Sequence, residues 1–204
     1  MFLPGLPIRL GFMSRIIAGA ARGRRLVMPA HRETRPTTDR VREAAFAQLA
    51  DWAGAAGEPA DAELAGLSFL DLYAGSGAVA LEAASRGAGP VWAVERDRGT
   101  AQVAERNVTQ AGLPVQVMTR PVSGFLAGPP RPFDIIWADP PYDLADEELN
   151  TVVAALEGWL APRGLLVIER AKRSAVPRWP ATIVDSWKRD YGETALHFAM
   201  RGDA

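Results

Sequence analysis

From Leu67 onward, short apolar runs alternate with helix-length stretches, and glycine or proline marks most of the changes. This alternation constrains the fold more than any other feature of the chain. Ser68–Tyr73, Pro90–Glu95, Pro114–Met118, Phe133–Ala138 and Gly164–Glu169 read as strands. Ala78–Arg86, Gly99–Ala111 and Glu147–Leu160 read as helices. Ile183–Arg189 and Thr194–Met200 read as a closing hairpin around Tyr191-Gly192. Strands that alternate with helices form a mostly parallel sheet with helices on both faces, and the last hairpin adds an antiparallel edge. The expected class is therefore α/β.

In such a sheet, ligands bind beyond the carboxyl ends of the strands. Three acids fall there: Asp71, Glu95 and Asp139. In Asp71-Leu72-Tyr73-Ala74-Gly75-Ser76-Gly77, the glycines let the backbone turn tightly and approach a ligand. The helix that starts there presents free N–H groups. A tight strand-to-helix turn would account for the glycines without any ligand. Asp71, four residues before Gly75, suits a ligand with a positive amine or sulfonium better than a pyrophosphate. Glu95, ending the second strand, can accept hydrogen bonds from ribose hydroxyls. It could equally be an exposed charge at a strand end.

Asp139-Pro140-Pro141-Tyr142 is more specific. Two prolines have fixed φ and no N–H, so they hold a rigid extended loop directly after a buried strand. Asp139 and the carbonyl of Pro140 offer acceptors, and Tyr142 offers a flat face. This combination suits an exocyclic amine on a planar base. The alternative is a proline-rich strand exit with Tyr142 in ordinary packing.

Before the sheet, the chain is basic. Ser14 to Arg42 holds eight arginines (Arg15, Arg22, Arg24, Arg25, Arg32, Arg35, Arg40, Arg42) against Glu33 and Asp39, although the whole chain of 204 residues has a net charge of −1. Arginine clustered this way reads as a phosphate-binding arm, or else as a solvated face. Arg15–Ala18 and Arg24–Met28 suggest a small hairpin, and a helix capped by Thr37 or Thr38 runs to about Trp52. The expected division is a loose extension over 1–13, a basic arm over 14–53, an Ala/Gly-rich linker over 54–66 and a catalytic domain over 67–204. The apolar start is too short for a secretory leader, and no 18-residue apolar run suggests a membrane span. The chain has no cysteine, which excludes disulfides and thiolate chemistry and is compatible with a cytoplasmic location. No cluster has metal-ligand spacing, and His31 and His197 stand isolated. No long apolar face is left over, so a monomer is expected.

Together these stretches resemble the class I methyltransferases that modify amino groups of bases. More narrowly, the chain is similar to the RsmD family of small-subunit rRNA guanine-N2 methyltransferases, from about Ser14 to Met200. The resemblance rests on Arg15 to Gly19, Arg35 to Glu43, Leu70 to Gly77, Asp139 to Tyr142 and Tyr191 to Thr194. It implies a Rossmann-like sheet, S-adenosylmethionine as donor, and a guanine of 16S rRNA, within a small-subunit ribonucleoprotein, as acceptor. It places Asp71, Tyr73, Ala74, Gly75, Ser76, Gly77, Glu95, Arg96 and Arg120 around the donor. Asp139, Pro140, Pro141 and Tyr142 surround the target amine. Arg15, Arg22, Arg24, Arg25, Arg35, Thr37, Arg40 and Arg42 are assigned to RNA. The chain departs from the family at Ala18, where glycine is commoner, and at Met118-Thr119-Arg120, which has no acid or amide to grip an adenine. Competing readings are a nicotinamide-dependent oxidoreductase, a DNA adenine-N6 methyltransferase and an RNA-binding protein with an inactive pocket. The Asp-Pro-Pro-Tyr loop has no role in hydride transfer, the chain lacks a large target-recognition domain, and the glycine loop is intact.

Overall fold

Phe69–Leu72 (β3) is buried along its whole length, as expected of a strand covered on both faces. A computed structural model describes residues 14–29 and 39–203. In it, β3 lies at the centre of a seven-stranded sheet. Its parallel neighbours are Val91–Glu95 (β4) on one side and Phe133–Ala138 (β6) on the other. Val115–Thr119 (β5) closes one edge. Beyond β6 come Leu160–Ala171 (β7) in parallel, then Thr194–Arg201 (β9) and Ile183–Tyr191 (β8), both antiparallel to their neighbours. The order is β5-β4-β3-β6-β7-β9-β8. This is the Rossmann-like sheet with an antiparallel edge.

Side-chain alternation divides the interior into two cores. Phe69, Val91, Ala93, Ile135, Trp137, Leu165 and Val167 face one side. There they meet Asp39–Trp52 (α1), Ala78–Ser85 (α2) and the arm, through Ile16, Leu26, Phe46 and Leu81. Leu70, Leu72, Val94, Ile136, Ala138, Leu166 and Ile168 face the other side. They pack on Val122–Leu126 (α4) and Asp146–Ala155 (α5). Arg98–Ala111 (α3) connects β4 to β5. It starts at Asp97, whose carboxylate accepts the Thr100 N–H at 2.7 Å, and stops at Gly112 in the left-handed region.

Several boundaries differ from the sequence reading. The arm's strands shrink to Ser14–Arg15 (β1) and Arg25–Leu26 (β2). The helix expected over Glu147–Leu160 ends at Ala155 and gives way to a short 3-10 turn. Strand β7 starts at Leu160 rather than Gly164, with an irregularity in its pairing to β6 opposite Phe133 and Ile135. Helix α4 was not foreseen.

The arm is fastened to α2. Glu82, fully buried, accepts the backbone N–H of Ile17 at 2.7 Å and of Ala18 at 3.0 Å, and also Nε of Arg86 at 2.8 Å. Gly19 has φ +79, and a Cβ there would lie 1.8 Å from the carbonyl oxygen of Ser85, so only glycine permits this approach. The 54–66 stretch is not a free tether. Leu64 is buried and donates its N–H to the Arg86 carbonyl, and Glu63 pairs with the Arg86 guanidinium. Residues 1–13, together with His31, Arg32, Arg35 and Thr37, lie outside the described residues.

Candidate active site

The site grows from the end of β3. Tyr73 takes the left-handed conformation, φ 62, which is costly for a bulky residue and occurs where a chain must turn at once. Gly75 and Gly77 follow at φ 57 and 76. Gly77 leads into α2 without a side-chain cap, and Asp71 supplies one from the strand: its Oδ2 accepts the Ala80 N–H at 3.0 Å. The loop is braced from β4. Glu95 Oε2 accepts the Gly75 N–H at 2.9 Å, and Oε1 accepts the Asp97 N–H at 2.8 Å. From behind, Asn107 on α3 donates to the Ser76 carbonyl and to the Val27 carbonyl, each at 2.9 Å.

An open cleft of about 390 Å³ lies at this end of the sheet. Asp71, Tyr73, Ala74, Ser76 and Asp139, all named from sequence, line it. Arg42, assigned from sequence to RNA, also lines it, and Met28, Ala78, Val79 and Trp137, which were not named, complete the wall. Burial, aided by the negative charge of Glu148 and opposed by Arg96, pushes the Tyr73 phenol up to about 12, so it stays protonated at neutral pH. Arg96 and Arg120 are exposed, and Arg120 takes part through its backbone N–H, donated to the Glu95 carbonyl at 3.0 Å.

Asp139 follows β6 directly. Its N–H donates to the Leu72 carbonyl at 3.3 Å, which ties the Asp-Pro-Pro-Tyr loop to the end of β3. Pro140 is buried, whereas Tyr142 is 51% exposed. Asp139, Pro140 and Tyr142 also line a second, smaller pocket of about 220 Å³, together with Glu169 and Arg170 from β7. Asp139 therefore belongs to both cavities.

The matching family model is Conserved hypothetical protein 95, over residues 14–200. The chain belongs to the RsmD family. An Escherichia coli K12 member, ribosomal RNA small subunit methyltransferase D, is 37% identical over 191 residues, covering 92% of this chain and 89% of that one. A solved Escherichia coli protein, yhhF, superposes with a TM-score of 0.78 at 32% identity, over 95% of this chain and all of the other. A Salinibacter ruber RNA methyltransferase, solved with S-adenosyl-L-homocysteine, shares the fold at 14% identity, with a TM-score of 0.58 over 83% of this chain and 95% of that one.

Within this RsmD-family chain the arginine arm is not uniform. Arg15, Arg22, Arg24, Arg25 and Arg40 are exposed, and Arg24 donates to the Gln110 carbonyl at 2.7 Å. Arg42 is a correction to the sequence reading. It is buried, bonded through Nη2 to Asp39 at 3.1 Å and to the Arg15 carbonyl, with Nε 3.8 Å from Glu82. Burial lowers its pKa, and Glu82 and Asp39 oppose that shift. It fastens the arm and borders the cleft. Sequence reasoning also missed Asn107 and Glu82. A lone polar residue within a helix pattern carries no signal of what it will bond across the fold.

Proposed function

We propose that this chain moves a methyl group from S-adenosylmethionine to the exocyclic N2 amine of a guanine in 16S rRNA. The observation that carries the reading is that Asp139 lines two adjoining cavities, one beside the glycine loop and one beside the Pro-Pro-Tyr turn.

The larger cleft fits the donor. The turn at Gly75–Gly77 brings backbone close without Cβ atoms, and Asp71 offers a carboxylate for an ammonium group. Glu95 uses one lone pair of each oxygen on the loop, and each oxygen can accept another hydrogen bond, as a ribose would require. Trp137 adds a buried Nε1–H that has no hydrogen-bond partner among the described residues. Bound there, S-adenosylmethionine supplies an electrophilic methyl group on its sulfonium.

The acceptor amine is a weak nucleophile because its lone pair is delocalised into the ring. Asp139 and the Pro140 carbonyl accept its two N–H groups and turn the lone pair toward the methyl position. Two adjacent prolines keep these acceptors from reorganising. The nitrogen–carbon bond forms as the carbon–sulfur bond breaks, and one amine proton is then released. Orientation of this kind contributes on the order of 7–11 kcal/mol in favourable cases. The base must leave its stack to reach the loop, and stacking on Tyr142 offsets about 1–3 kcal/mol of that cost. Arg15, Arg22, Arg24, Arg25 and Arg40, with Arg35 and Thr37, provide the RNA-binding surface.

The test is to incubate the protein with methyl-labelled donor and unmodified 16S rRNA, free or in small subunits, and to identify the labelled nucleoside. N2-methylguanosine is expected. Label in adenine, or none in RNA, would overturn the assignment.

A further inference from the structure

The β6–β7 register sets a second acidic residue beside the catalytic loop. Ala138 pairs with Ile168, so Asp139 and Glu169 are the next residues along two parallel neighbours. Ile135 and Trp137 face the arm side of the sheet, as do Leu165 and Val167. By the same alternation, Asp139 and Glu169 leave the strands on that side. Both line the smaller pocket, and Glu169 is buried. Arg170 lies in the same wall. Its Nη2 donates to the Leu144 carbonyl at 3.2 Å and to Asp146 at 3.0 Å, which fastens the segment after Tyr142.

We infer that Glu169 reads the N1–H of the acceptor base and so selects guanine. The inference rests on the guanine-N2 reading above. Around a guanine edge, the N2 amine is followed by N1–H, a donor, and then by O6, an acceptor. With the amine at Asp139 and Pro140, the neighbouring carboxylate of Glu169 meets N1–H. Adenine presents a different sequence of groups: beside its amine, N1 is a bare acceptor, and no O6 follows. A carboxylate facing that nitrogen sets two acceptors against each other. A site built to bond a donor rejects an analogue that lacks it far more strongly than shape alone could.

The discriminating substrate is an rRNA fragment with 2-aminopurine at the methylated position. This base keeps the exocyclic amine but has a bare N1 and no O6. The wild-type chain is expected to prefer guanine by roughly 10³-fold or more in kcat/KM. In Glu169→Gln, whose amide can donate to N1, this preference should fall at least about tenfold, with affinity for S-adenosylhomocysteine unchanged. A variant with the wild-type preference would overturn the role of Glu169. If the variant proves too slow on both RNAs, competition binding of the two in the presence of S-adenosylhomocysteine gives the same ratio, and an unchanged ratio again overturns it. Wild-type protein that transfers no methyl to guanine N2 would instead remove the underlying function.

Discussion

Glu95 and Gly75 are joined across the site: Oε2 of the β4 carboxylate accepts the glycine N–H at 2.9 Å, while Oε1 accepts the Asp97 N–H at 2.8 Å. One side chain thus holds the turn after β3 and the turn after β4 in a common position. Glu95→Ala should weaken S-adenosylhomocysteine binding by about 10- to 100-fold, since hydrogen bonds to a charged group contribute about 1.5–3 kcal/mol. Glu95→Gln, which keeps one acceptor, should lose less. Calorimetric titration measures both, and equal affinity in all three proteins would remove Glu95 from the site.

Glu82 is the residue on which the arm depends. It is fully buried and answers Arg86, Arg42 and two backbone N–H groups. Its removal takes the one carboxylate shared by the buried Arg42 and Arg86 and leaves each with a single ion-pair partner, Asp39 and Glu63. Glu82→Ala should therefore cost about 3–5 kcal/mol of stability, as expected for a buried ion pair broken on one side. Denaturant unfolding checks this, and a loss below about 1 kcal/mol would contradict it.

What was legible from sequence follows from how each signal arises. Phe133–Ala138 and its Asp-Pro-Pro-Tyr exit were read correctly because an apolar run followed by two prolines has few other meanings. The glycine loop was legible for the same reason. The burial of Arg42 was not legible because its basic sequence neighbours grouped it with a phosphate-binding arm, whereas its partner Glu82 lies forty residues away in another helix. The 54–66 stretch looked like a tether because it is rich in alanine and glycine, yet Leu64 and Glu63 tie it to the Arg86 region. Helix α4 spans only Val122–Leu126, too short for any periodicity to show. The setting of Asp71 was legible only in part: its place at the strand end was evident, its bond to Ala80 was not.

His197 gives the fold a dependence on pH. It is buried, with Nε2 lacking a hydrogen-bond partner among the described residues, and desolvation, with Lys188 adding to it, lowers its pKa below the ordinary 6.5. The unfolded chain therefore binds a proton that the folded chain resists. This contribution to stability is complete above about pH 6.5 and is lost as the pH falls through the lowered folded value. Unfolding midpoints should decline in that window, and the decline should be shallower in His197→Gln. Identical pH profiles would contradict the assignment.

The exposed arginines of the arm should act on RNA through charge. Replacing Arg22, Arg24 and Arg25 by Ala is expected to weaken binding to 16S rRNA and to reduce the dependence of affinity on salt, because fewer phosphates would be neutralised. Donor binding should not change. Filter binding across a salt series reads both quantities. Unchanged affinity and slope would remove the arm from the RNA-binding surface.

The most direct test of the account is single-turnover methyl transfer to unmodified 16S rRNA by the wild-type chain and by Asp139→Ala. Asp139 stands where the two cavities meet, so its loss should lower the rate of transfer about 10²- to 10³-fold, the scale seen when one preorganised polar partner is removed. RNA binding should remain near wild type, and the wild-type product should be N2-methylguanosine. An Asp139→Ala protein that transfers methyl at the wild-type rate would contradict the central claim.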